Sequence, residues 1–175
     1  MMNRRDFYRY ATLALGSLIG LMVAVPGVAY LLDPLLKRSR AGAFRALVRL
    51  SELEPGSPRA VSIIEAHQDA WVSYPPEPVG SVWLIRQPAG IDPAVVAFTA
   101  ECPHLGCSIN LAADGQSFLC PCHMSAFDFR GQRKNATPPR GMDRLDVQLT
   151  EEADPMVLVK FERFRTMSKE KIPLG

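Results

Sequence analysis

The sequence predicts a mainly β protein: an antiparallel β-sandwich head with a metal-binding tip, preceded by one transmembrane helix. Three observations predict it. Residues 11–32 contain no charged side chain and are dominated by Leu, Ala, Val, Gly and Ile. Beyond residue 50 the chain falls into short β-like runs broken by proline and glycine, with no convincing helical period. All four cysteines and two of the three histidines lie between Cys102 and His123.

The helix comes first. About 20 apolar residues cross a bilayer core as a helix, and the 11–32 stretch supplies that length. Pro26 sits near its outer end, where it is expected to kink the helix or mark its end. Ahead of it, residues 1–10 contain Asn3-Arg4-Arg5-Asp6-Phe7, which resembles a twin-arginine export signal. That resemblance implies export of a folded protein, with the N-terminus left in the cytoplasm. A cleaved signal peptide stays open, because Gly27-Val28-Ala29 is a passable small-x-small site. Its apolar region would, however, run to only about 7–15 residues. Arg4, Arg5 and Arg9 before the span are matched by Lys37, Arg38 and Arg40 after it, so positive charge alone does not orient it.

Residues 33–45 read as a tether. Its run Lys37-Arg38-Ser39-Arg40 suits membrane lipid head groups, and Ala41-Gly42-Ala43 follows. The head is expected over 46–164, with strands at 46–50, 61–65, 82–86, 95–99, 117–119, 145–149 and 156–161. Seven short strands separated by turn residues imply a sandwich or stacked sheets. Trp71 and Trp83 are expected in its core, and His67 on a surface or loop. The 165–175 tail has no strand pattern and is expected to dock on a partner or remain loose. A net charge of +2 without a basic face gives no nucleic-acid signature. Nor is there a P-loop, a G-x-G-x-x-G or a serine-nucleophile elbow.

The chemistry concentrates in two motifs, C-P-H-L-G-C from Cys102 to Cys107 and C-P-C-H from Cys120 to His123. Each supplies a thiolate and an imidazole, giving the four-ligand set Cys102, His104, Cys120 and His123. Cys107 and Cys122 remain as a second pair, one on each loop. Structural zinc could use the same four residues, although zinc sites more often place two cysteines before two histidines. Two unrelated disulfides would also use the cysteines. Pro103 and Pro121 stiffen both loops, and Gly106 gives the first one freedom where the backbone must pass close to a bound group.

These two motifs resemble those of the Rieske iron–sulfur proteins, and the region 100–141 carries the resemblance. It implies a [2Fe–2S] cluster with Cys102 and Cys120 on one iron and His104 and His123 on the other. Neutral imidazoles in place of two thiolates raise the reduction potential to between about −150 and +300 mV. The resemblance also implies a Cys107–Cys122 disulfide stapling the loops. After His123, Ser125 matches a family position whose hydroxyl donates to a bridging sulfide and raises the potential. Two residues depart from the family pattern. Phe127 replaces a tyrosine donor, which lowers the potential and suits a low-potential quinol such as menaquinol. Met124 replaces a glycine beside the cluster. Ala136-Thr137-Pro138-Pro139-Arg140-Gly141 resembles the proline-rich loop that covers the cluster's third side.

Taken with the anchor, the resemblance implies the iron–sulfur subunit of a quinol–cytochrome c reductase of the cytochrome bc type. His104 or His123 would hydrogen-bond quinol held by a cytochrome b subunit, and a c-type cytochrome would take the electron. A dimeric multi-subunit complex in the inner membrane of a bacterium is implied, with the head on the periplasmic side. The small subunit of an arsenite oxidase is an alternative that Met124 fits, while the Cys107/Cys122 pair and the proline-rich loop favour the bc type. A soluble Rieske ferredoxin or oxygenase component is a third, against which the anchor argues.

Overall fold

The computed structural model describes residues 3–36, 43–66, 68–69 and 72–174. His67, Trp71 and residues 37–42 of the expected tether lie outside them. Two compact units result, Met1–Arg40 and Ala41–Gly175.

The first unit is helix α1, Arg4–Leu36. Its Arg4–Asp33 part is long and apolar enough to cross a membrane, and its most apolar window is entirely exposed. The helix is longer than the 11–32 span at both ends, since hydropathy marks what a membrane tolerates rather than where helical hydrogen bonding stops. Asp6 in the first turn suits the positive end of the helix dipole. Pro26 does not end α1, as the sequence allowed it to; helical backbone continues ten residues beyond it to Leu36. One lost amide donor is a smaller cost than a wholly broken turn among apolar neighbours.

The head contains β1 (Phe44–Arg49), a 3-10 turn (Leu50–Glu52), β2 (Pro58–Glu65), β3 (Gln68–Asp69), β4 (Val72–Ser73), β5 (Glu77–Arg86) and β6 (Val95–Thr99). It continues with β7 (Asn110–Leu111), β8 (Phe118–Cys120), β9 (Ser125–Phe127), β10 (Arg144–Leu149), β11 (Met156–Lys160), β12 (Arg163–Phe164) and β13 (Pro173–Leu174). All seven expected strands are present, with ends moved by up to five residues, and β6 has the bounds read from the sequence. The others, including the whole of β7 and β9, are too short to carry a hydropathy period.

Six strands form an antiparallel base sheet in the order β1-β11-β10-β6-β5-β2, and β7-β8-β9 form a separate small sheet. The period of two along β5 explains how these layers meet. Val82 and Leu84 enter a core with Val48, Leu53, Ile63, Val157 and Val159. Trp83 and Ile85 point the other way, into a core with Phe98, Ile109, Phe118 and Phe127. Four consecutive buried residues in β5 therefore mark a strand covered on both faces. Each such side chain contributes roughly 1.5–3 kcal/mol by leaving water. Trp83 also donates its indole N–H to the Ile109 carbonyl at 2.9 Å, which ties β5 to the segment entering β7.

The tail corrects its sequence expectation. Arg163 and Phe164 pair with Leu174 and Pro173, so the chain folds back into a hairpin. Lys171 Nζ lies 4.5 Å from the Phe164 ring centre and donates to the Arg144 carbonyl at 2.6 Å. Phe164 itself is buried in the base core. This segment therefore docks on its own head, through one aromatic anchor and backbone bonds that leave no strand pattern in the letters.

Candidate metal centre

The first loop is a tight turn closed by its own backbone. Cys102 N–H donates to the Cys107 carbonyl at 2.9 Å, and Gly106 N–H to the Cys102 carbonyl at 2.8 Å. Gly106 has φ +79°, which only glycine adopts without strain. The turn buries Cys102 and Pro103, leaves His104 half-buried and exposes Leu105.

The second loop is the turn of the β8–β9 hairpin, in which Cys120 pairs with Ser125. Residues 121–124 form the turn, which places His123 and Met124 on the outside. Met124 has φ +57°, a left-handed conformation that costs a non-glycine residue about 1–2 kcal/mol. Its side chain is 58% exposed, so the glycine expected there answers a backbone requirement rather than a lack of room. Asn135 holds the strained turn by donating Nδ2 to the Met124 carbonyl at 2.6 Å.

Cys107 and Cys122 are joined in a disulfide, with Cα atoms 6.5 Å apart, which fastens one loop to the other. Cys102 and Cys120 are free and buried. The rings of His104 and His123 lie 4.9 Å apart, nearly perpendicular. Two sulfurs thus face inward and two imidazoles lie at the surface. The Cys120 sulfur also lies within 4.8 Å of both disulfide sulfurs, but those are bonded to each other and offer no thiolate.

Burial pushes the Cys102 thiol above its ordinary value. The His104 backbone N–H and the Ser125 hydroxyl favour its thiolate, while neighbouring Cys120 opposes it. Iron between the two sulfurs would reverse that balance by binding the thiolate form. Ser125 Oγ is fully buried without a hydrogen-bond partner of good geometry, though close enough to Cys102 to influence it. An orphaned donor is costly unless something accepts from it. Two thiols, two imidazoles and one unspent hydroxyl in one place fit a [2Fe–2S] cluster of mixed ligation, with a sulfide as acceptor for Ser125. Phe127 is wholly buried against β8 and has no hydroxyl to add.

The proline-rich segment packs against the residues that follow β9 and against the C-terminal segment. Pro138 is fully buried, and its carbonyl accepts from Arg133 Nη1 at 3.2 Å. Gly141 must lack a side chain, because a Cβ there would lie 2.4 Å from the Gly131 carbonyl oxygen. Arg140 grips Asp143 through two hydrogen bonds of 2.8 and 2.6 Å. It also donates to the carbonyls of Ser168, at 2.6 Å, and Arg165, at 2.9 Å. The sequence placed Arg140 in the proline-rich motif without giving it a role of its own, and the tail residues did not stand out. The one available signal was an arginine two residues from a buried proline, in a loop already suspected of facing the metal.

Residues 44–149 match the family described as the Rieske [2Fe-2S] domain. The menaquinol:cytochrome c reductase iron–sulfur subunit of Bacillus subtilis (strain 168) is 29% identical over 140 residues, covering 78% of this chain and 80% of that protein. The cytochrome b6-f complex iron–sulfur subunit 2 of Nostoc sp. is 22% identical over 151 residues, covering 86% of this chain and 82% of that one. A chain of a hyperthermophilic respiratory Complex III covers 83% of this chain and 98% of its own length at 20% identity, with a TM-score of 0.45. The family assignment rests on the matched residues and not on that superposition.

Proposed function

This chain belongs to the Rieske [2Fe–2S] family, and on that premise we propose that it is the electron-transfer subunit of a membrane quinol:cytochrome c oxidoreductase. The observation that carries the reading is the asymmetry of the centre, with buried cysteines behind and two imidazoles at the surface. A redox group so held meets a partner through its histidine edge alone. Two similar proteins named as iron–sulfur subunits of a menaquinol:cytochrome c reductase and a cytochrome b6-f complex support the same reading.

In this reading Cys102 and Cys120 hold one iron, and His104 and His123 the other. The cluster supplies a one-electron acceptor within reach of the surface. His104 or His123, with its imidazole at the surface, would accept a hydrogen bond from quinol bound in a cytochrome b partner and hold the proton that quinol gives up. Ser125 would donate its hydroxyl to the cluster, and the Cys107–Cys122 bridge keeps the loops in register. The electron then passes to a c-type cytochrome. Phe127, which lacks a donor, favours a low-potential quinol of the menaquinol kind. Helix α1 anchors the chain by a single pass in a bacterial inner membrane, the head lies on the periplasmic side, and the parent complex is dimeric. Residues 1–10, the 11–32 span, the 33–45 tether and the 46–164 head keep the roles given them from the sequence.

The test is a redox titration of native membranes read by electron paramagnetic resonance, with and without an inhibitor of the quinol-oxidising pocket. A Rieske-type spectrum whose shape or midpoint responds to the inhibitor is expected. A spectrum indifferent to it would overturn the cytochrome b assignment and point to the arsenite oxidase class.

A further inference from the structure

The C-terminal segment reaches the first metal loop at three points. Met167 N–H is shared between the carbonyls of Pro103, at 3.0 Å, and His104, at 3.2 Å. Arg163 pairs with Glu101, just before Cys102, through contacts of 3.1 and 3.3 Å. The Thr166 methyl group lies 3.7 Å from where a Cβ on Gly106 would stand. Met167 makes its contact in a left-handed conformation, φ +55°, with its side chain 63% exposed. The backbone amide is therefore what that position delivers, and the strain is held by neighbours. Those neighbours are identifiable. The carbonyls of Arg165 and Ser168, which bracket Met167, both accept from Arg140, whose side chain is only 10% exposed and paired to Asp143.

We propose that residues 163–168 form a strap that positions the His104 loop, with Arg140 of the proline-rich segment as its anchor and the Met167 amide as its contact. The chain of bonds runs from Asp143 through Arg140 to the strap, and from the strap to the backbone of a residue assigned as an iron ligand. Groups that orient ligands in this way hold a metal by limiting what the ligand can do once it lets go. The strap lies outside the family-matched residues 44–149. The inference rests on the assignment of His104 as a ligand.

The test uses the full-length holoprotein in membranes and three variants: truncation after Phe164, Met167→Pro and Met167→Gly. Truncation removes the Met167 and Thr166 contacts and leaves the Arg163–Glu101 pair, Met167→Pro removes the amide donor and forbids the left-handed backbone that delivers it, and Met167→Gly keeps the donor and relaxes the backbone. Loss of iron to a chelator should speed up about tenfold in the first two and stay unchanged in the third. Amide exchange of a peptide covering 102–107 should quicken by about the same factor in those two, while one covering 95–99 is unaffected. Their resonance lines should broaden, as His104 samples more orientations. Wild-type rates in Met167→Pro would overturn the strap, and that variant decides the matter if the truncated chain does not accumulate. Absence of a Rieske spectrum in the wild-type protein would instead overturn the ligand assignment beneath it.

Discussion

The base core and the metal-bearing layer lie on opposite faces of β5 and are held by different forces. The base is an apolar core in which Val82, Leu84, Val157 and Val159 have no exposed surface. The metal layer shares part of a second core but takes its shape from turns, a disulfide, an arginine and two non-glycine residues with positive φ. Burial is non-directional and forgives small shifts; hydrogen bonds and crosslinks fix atoms at stated places. A base needs the first kind of stability and a ligand set the second.

The largest effect should come from the base. Leu84→Ala removes a fully buried side chain and should cost about 3 kcal/mol. Chemical denaturation would measure it, and an unchanged midpoint potential would sharpen the contrast. Next, replacing Cys107 and Cys122 together by serine opens a 15-residue loop, with an expected cost of about 3 kcal/mol and loss of the Rieske spectrum. A normal spectrum in that double variant would break the distinction between the layers.

Smaller and of opposite sign are two changes inside the metal layer. Ser125→Ala should leave the apo head no less stable, since it removes a buried hydroxyl that has no hydrogen bond of good geometry. In the holoprotein it should lower the midpoint by about 60 mV, the worth of one hydrogen bond to a charged group for a one-electron couple. Phe127→Tyr should raise the midpoint, and an unchanged value in the same titration would remove the argument for a low-potential quinol.

Smallest is a surface change on the base. Asp154 is held below the usual carboxylate range, chiefly by the Ser51 hydroxyl at 2.7 Å. Its folded value lies below its unfolded one, so its contribution is present above the unfolded value and lost as pH falls through the folded one. Asp154→Ala should therefore lower Tm at neutral pH by at most about 2 °C, with the difference narrowing in acid. A gap that widened in acid would show the sign to be wrong.

The same division decides how much could be read from the letters. Strands of the base announce themselves because burial on one or both faces selects Val, Leu, Ile and Phe at regular spacing, as at 82–86 and 95–99. The C-P-H-L-G-C and C-P-C-H motifs are legible because few other roles ask for those residues together. The hairpin β12–β13 is not, since the Met167 amide, the Arg165 carbonyl and the Ser168 carbonyl are backbone groups common to every residue. Met124 was legible as a departure from glycine, but the reason lies in a dihedral angle that no composition encodes. Helix α1 exceeded its apolar span at its N-terminal end because Arg4, Arg5 and Arg9 are good helix formers that hydropathy scores only as polar.

One pairing in the base has a consequence for how the protein is made. Strand β1 has a single neighbour in its sheet, β11, with Phe44 opposite Lys160. Contacts so far apart in sequence form slowly, because the intervening chain must first be ordered. An emerging chain would hold its first head strand unpaired until nearly all of it had left the ribosome. Residues 102–123 precede β11 in the chain, so both metal loops leave the ribosome before β1 can find its partner.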